Sequence, residues 1–250
     1  MNNEATFTFI GELNTFLPAH KRGMSLAVTF KGSPSLKHMI EDQGIPHTQA
    51  GLVRVNGAPV DLSYLLQPGD QVEVHPVAPD GSQPGQAAAP RPLGTPLRFI
   101  LDNHLGRLAV YLRMLGFDCL YRNDYQDEEL AQVASQEGRI LLTRDRRLLM
   151  RKIVSQGYWC QSQNPRRQLF EIVRRYNLAG KIEPFRRCLR CNTPLQGISK
   201  EAILDRLQPL TILYYNDFAI CPACQQIYWK GSHYEHMQGI IAEVTGEAGN

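Results

Sequence analysis

The apolar positions of this chain change period several times, and the changes mark out its elements. "TFTFIGEL" alternates apolar and polar residues, which predicts a strand, and "SLAVTF" repeats the pattern after a short turn. "SLKHMIEDQG" switches to helical spacing and ends on Gly44, a natural C-cap. "GLVRVNGAPV" reads as strand, Asn-Gly turn and strand, and "GDQVEVHPV" as a closing strand. A second pattern starts at residue 97. "PLRFILD", "FDCLYR", "RILLT" and "YWCQS" are short apolar strands, and helices separate them. "HLGRLAVYLRMLG" sets Leu105, Leu108, Ala109, Leu112 and Leu115 on one helical face and ends at Gly116. "DEELAQVASQEG" predicts a helix from near Asp127 to Gly138, and "RRLLMRKIVSQG" predicts the next. "NPRRQLFEIVRRYNL" predicts a fourth, with Asn164 as N-cap and Pro165 in the first turn. Regular βαβα alternation with short loops implies an α/β fold, three layers around a parallel sheet.

"APDGSQPGQAAAPRPLGTP" separates the two patterns and has no apolar period, so residues 78–96 are expected to be a flexible linker. The expected division is then an N-terminal α+β domain (1–77), an α/β domain (97–183), a cysteine-bearing module (184–241) and a disordered tail (242–250). No run of about eighteen apolar residues is present. The N-terminus has no basic segment followed by an apolar one. A cytoplasmic protein with no membrane partner is expected.

The net charge of +3 decides little, but its distribution does more. Between Leu97 and Thr193 stand 18 lysines and arginines against 10 aspartates and glutamates, and the rest of the chain is acidic. A polyanionic partner would account for that block, and so would a solvated helical surface.

Four of the six cysteines form two C-x-x-C pairs, Cys188/Cys191 and Cys221/Cys224, with 29 residues between the pairs. Two such knuckles predict a closed tetrahedral site for a structural Zn²⁺. Cys119 and Cys160 stand alone in apolar stretches and read as small core residues. After Cys224, Tyr228, Trp229 and His233 can either stack on bases or pack the module against its neighbour.

In an open parallel sheet, functional groups gather beyond the carboxyl ends of the strands. Asp102 follows one strand and Asp145 another, while Asp124, Asp127, Glu128 and Glu129 follow a third. Carboxylates converging there repel one another, and Mg²⁺ or Mn²⁺ is the usual remedy. Each acid also has a capping reading, and Asp127 in particular is well placed as an N-cap.

"FILDNHLGRLAVYLRMLGFDCLY", "DEEL" and "GRILLTRDRRLL" resemble, in order and spacing, the PIN-like RNase domain of the Mut-seven C-terminal RNase family. That family continues into a zinc ribbon, and some members carry an N-terminal ubiquitin-like domain. The resemblance implies a Mg²⁺- or Mn²⁺-dependent ribonuclease acting on RNA phosphodiesters. It makes Asp102 the first metal-binding acid and Asp145 the later one, with the middle acid among Asp124, Asp127 and Glu128. Thr143 would orient Asp145, and Arg144, Arg146 and Arg147 would hold RNA phosphates, with Arg107 a further candidate. Arg113, on the same helix, is a candidate too, with a structural role as its other reading. The rival reading is a non-catalytic RNA- or ribosome-binding zinc-ribbon adaptor, which would not need the acids.

The N-terminal ββαββ order suggests a β-grasp domain, and "RVNGAPV" with "GDQVEVHPV" resembles sulfur-carrier-like members. True carriers end in a free Gly-Gly. Here the strand runs on into Ala78 and Pro79, so docking to a protein partner is expected rather than sulfur carriage.

Overall fold

The computed structural model describes residues 3–78 and 96–246. The expected linker lies outside the described residues apart from its two ends, as do residues 247–250 of the expected tail.

The N-terminal unit comprises β1 (Asn3–Phe9), β2 (Ser25–Phe30), α1 (Leu36–Asp42), β3 (Ala50–Val55), β4 (Ala58–Val60) and β5 (Gln71–Pro76). Its sheet runs β2-β1-β5-β3-β4, with β1 and β5 paired in parallel at the centre. The Ser35 side chain caps α1 by accepting the His38 N–H. The turn between β3 and β4 needs two left-handed residues, and Asn56 (φ 52°) and Gly57 (φ 83°) provide them. Phe7, Leu36, Ile40, Val53 and Val74 fill the core without exposure. This is the β-grasp arrangement the alternation predicts.

The second unit comprises β6 (Arg98–Leu101), α2 (Gly106–Met114), β7 (Asp118–Tyr121), α3 (Asp127–Glu137), β8 (Ile140–Thr143), α4 (Arg146–Leu149), β9 (Gly157–Trp159) and α5 (Pro165–Arg175). The sheet is parallel throughout, in the order β7-β6-β8-β9. Both its faces are covered. Phe99, Leu101, Ile140 and Leu142 point toward α2 and α5, while Ile100 and Leu141 point toward α3 and α4. That is why the central strands read as continuous apolar runs. All five residues of the predicted α2 stripe are buried. Gly116 (φ 96°) is required where α2 ends, since a Cβ there would lie 2.2 Å from the Glu183 carbonyl oxygen. One expected helix is much shorter than its pattern: "RRLLMRKIVSQG" forms the single turn of α4. The chain must return at once to pair β9 with β8, and Gly157 passes so close to Leu141 and Leu149 that no side chain fits there.

The cysteine module holds β10 (Gln196–Ile198), β11 (Phe218–Ile220) and β12 (Ile227–Trp229) in an antiparallel sheet, with α6 (Pro209–Tyr214) between β10 and β11, and α7 (Ser232–Thr245) follows. The expectation of a disordered tail from residue 242 is corrected as far as Thr245. Ile240 and Val244 of α7 are buried in the core shared by α2 and α5, and Glu243 pairs with Arg166 at 2.7 Å. No helix among the described residues is long and apolar enough to cross a membrane.

The β-grasp unit docks against the edge of the parallel sheet. Gln49 donates to the Gly157 carbonyl at 2.9 Å, and a ring nitrogen of His47 meets the Val154 carbonyl at 2.8 Å. Arg175 of α5 donates to Glu12 at 2.8 Å and to the Val77 carbonyl at 2.5 Å. The end of the last β-grasp strand, where a sulfur carrier keeps its reactive tail free, is thus tied to the second unit.

Candidate active site and four-cysteine centre

Asp102 is the first residue beyond β6, held there by its N–H on the Leu142 carbonyl at 3.1 Å. The residue is only 5 % exposed. Both oxygens accept hydrogen bonds. Oδ1 takes the His104 N–H at 2.7 Å and faces His104 Nδ1 at 3.2 Å. Oδ2 takes the Thr143 hydroxyl and the Arg144 N–H at 3.3 Å. Thr143, wholly buried at the end of β8, also accepts the Asp145 N–H at 2.9 Å. It therefore holds Asp145 through its backbone N–H and, beyond the expectation, also fixes the Asp102 carboxylate. The Asp145 carboxylate caps α4 by accepting the Arg147 N–H at 2.8 Å.

Asp102, Asp127 and Asp145 line one open cleft of about 370 Å³ beyond the carboxyl ends of the strands. Asn103, His104, Tyr125 and Arg144 complete its walls together with Leu130. The sequence did not single out Asn103, His104 or Tyr125. Of the three candidate middle acids, Asp127 is the one that lines the cleft, and helix phase places it there. Gln126 occupies the N-cap position, so Asp127 is the first helical residue rather than the cap. Asp124 is drawn instead to Arg122 at 2.9 Å, which also holds Glu129, and neither Asp124 nor Glu128 lines the cleft. Arg122 lowers the exposed Asp124 carboxyl from its ordinary pKa through that hydrogen bond.

Of the expected phosphate-binding arginines, only Arg144 lines the cleft. Arg147 and Arg107 are exposed but lie outside the lining. Arg146 is turned to the seam instead: its guanidinium lies 4.0 Å from the Trp159 ring centre and 4.9 Å from that of Phe16, two rings that pack on each other at 4.8 Å, and it donates to the Phe16 carbonyl at 3.2 Å. It belongs to the seam with the β-grasp unit. Burial there lowers its pKa. Trp159 also donates its indole N–H to the Arg144 carbonyl at 3.1 Å, so the seam grips the segment on both sides of Asp145. Arg113 takes the structural role, donating to the carbonyls of Cys119, Leu189 and Arg190.

The four cysteines converge as two equivalent turns. In each, the residue after the second cysteine is left-handed, Asn192 at φ 73° and Gln225 at φ 61°. Its N–H bonds the carbonyl of the first cysteine at 2.9 Å in both turns. The Sγ atoms all lie within 4.8 Å of one another, with Cys188–Cys224 at 3.5 Å and Cys191–Cys221 at 3.3 Å. A tetrahedron with Zn–S bonds of about 2.3 Å has edges of about 3.8 Å, so the cluster suits such an ion. Among the described residues the cleft acids are not gathered as closely. The module is tied to the sheet through Asp118, which accepts from Arg139 at 2.7 Å and from Asn192 at 2.9 Å. Burial raises the Asp118 pKa, but these hydrogen bonds and the neighbouring guanidinium charges outweigh it and leave the pKa below its ordinary value. Cys119 and Cys160 are fully buried, and burial raises both thiols, Cys119 to about 12.

Residues 97–241 match the family described as the Mut7-C RNAse domain. Residues 2–80 match the Mut7-C ubiquitin domain. The chain belongs to the Mut7-C RNase family. No curated protein and no solved structure gives a match. The Mut7-C match runs from β6 through the cleft, the four-cysteine centre and most of α7, so nuclease sheet and cysteine module form one family unit. The Mut7-C ubiquitin match coincides with the β-grasp unit that clasps it.

Proposed function

We propose that this protein is a metal-dependent ribonuclease that hydrolyses RNA phosphodiester bonds at the cleft beyond the parallel sheet. The observation that carries the reading is the convergence of Asp102, Asp127 and Asp145, from three different segments, on one cleft beside Arg144. The all-oxygen donor set fits Mg²⁺ or Mn²⁺. Such an ion, when bound, supplies a water made acidic enough to attack and offsets charge on the leaving oxygen. The protein's own groups do the rest. Thr143 and the His104 N–H hold Asp102 in one orientation. Asp145 is fixed by the first turn of α4, and Asp127 by the first turn of α3. Arg144, exposed on the rim, binds a phosphate flanking the cut. The four cysteines hold a structural Zn²⁺. The free state of all six cysteines fits a cytoplasmic setting, where thiols stay reduced. The β-grasp surface turned away from the seam is the place for a protein partner.

The test is cleavage of labelled single-stranded and structured RNA with Mg²⁺ or Mn²⁺, by wild type and by Asp102→Asn, Asp127→Asn and Asp145→Asn. Loss in each variant, with zinc content intact, supports the reading. Wild-type RNA binding that persists without any cleavage turns the protein into an RNA-binding adaptor.

A further inference from the structure

A second cavity, of about 240 Å³, lies where the cysteine module meets the nuclease core. Its walls are mainly apolar and aromatic. Phe185 and Tyr234 pack with ring centres 4.5 Å apart, and Tyr228 and Trp229 come from β12. Phe185 is held at φ 61°, a left-handed backbone that a bulky residue rarely adopts. Such strain gathers at ligand clamps. Trp229 is 40 % exposed, and its indole N–H has no acceptor among the described residues. The lining also includes Lys230 and Asp217, both exposed, and neither side chain has an ion-pair partner among the described residues.

We propose that this cavity receives one unpaired nucleobase of the RNA, a proposal that rests on the ribonuclease reading. Flat aromatic walls suit a flat heteroaromatic ring, which every base presents. Lys230 gives the adjoining phosphate its counter-charge, and Asp217 accepts from an exocyclic amine. An aliphatic protein side chain would use the apolar walls but leave both charges unanswered. The zinc-bearing module thus selects single-stranded RNA and presents it to the cleft.

The test uses full-length, zinc-loaded protein. The probe is a short single-stranded 2′-O-methyl oligoribonucleotide, without added divalent cation. Binding is read from quenching of tryptophan fluorescence. The chain has two tryptophans, and Trp229→Phe removes the one at the cavity. Wild type should quench saturably and Trp229→Phe should not. Tyr234→Ala, and Ala219→Phe which fills the cavity from β11, should weaken binding about tenfold or more. Lys230→Gln should lower the salt slope by about one. An oligonucleotide with abasic sugars should bind as weakly as the cavity variants do to the intact one. Equal affinity for intact and abasic strands, or unchanged quenching in Trp229→Phe, overturns the proposal. On cleavable RNA the cavity variants should raise KM and spare kcat. Cleavage with a silent cavity removes this proposal alone. Specific quenching in a protein that never cuts removes the ribonuclease activity and leaves the cavity.

Discussion

The guanidinium of Arg146 lies 4.0 Å from the centre of the Trp159 ring and 4.9 Å from that of Phe16 of the β-grasp unit, over a corner where the two rings pack on each other. Arg146 follows Asp145 directly, and Trp159 also holds the Arg144 carbonyl. The N-terminal unit thereby sets the backbone that carries one of the cleft acids. Arg146→Ala should destabilise the protein by about 1–3 kcal/mol, from the lost stack and the orphaned Phe16 carbonyl. It should also lower kcat with little change in KM for RNA. Arg146→Lys should not restore the loss, because an ammonium lacks the planar face. Urea denaturation and steady-state cleavage check both. A pure KM effect would return Arg146 to the role of RNA ligand.

Thr143→Val keeps the volume and removes the hydroxyl shared by Asp102 and the Asp145 N–H. The expected cost is about 1–3 kcal/mol, since a buried donor and acceptor lose their partner. Cleavage should fall at least tenfold through a misaligned Asp102. Thr143→Ser, which keeps the hydroxyl, should recover most of it. Failure of the serine to rescue would assign the loss to packing.

Removal of zinc by a strong chelator, or Cys188→Ser, should unfold the β10–β12 module, because its small cluster of Ile203, Phe218 and Ile227 cannot hold it alone. Metal analysis with near-ultraviolet circular dichroism reads this. The β-grasp core, built from residues distant from the cysteines, should survive as a separate transition.

Asp118 predicts an acid response of definite sign. Its folded pKa lies below the ordinary value of 3.8, so the unfolded chain binds the proton more readily. The associated stability is fully present above the ordinary pKa and fades as pH falls through the folded one. Asp118→Asn should be less stable at neutral pH and should show a flatter decline below about pH 4. Urea midpoints for both proteins across that range test it.

The sequence made some elements plain because their causes are local. The α2 stripe, the Gly138 cap and the Asn-Gly turn each need only their own neighbours. Asp102 and Asp145 were readable as cleft residues because a strand end is marked by its own apolar run. Asp124, Asp127 and Glu128 could not be ranked, since the answer depends on helix phase and on Arg122. The seam position of Arg146 was not legible because its partner Phe16 lies 130 residues away in the chain. The extent of α7 was missed for the same reason: its burial is against α2 and α5.

The return of α7 to the nuclease core has a kinetic consequence. The Arg166–Glu243 pair spans 77 residues, and the whole cysteine module lies inside that loop. Closing so long a loop is slow, and contacts of high sequence separation govern folding rates. Metal capture shortens the loop's effective length by tying its middle together. Refolding of the nuclease core should therefore speed up with zinc in the buffer, although no zinc ligand belongs to that core.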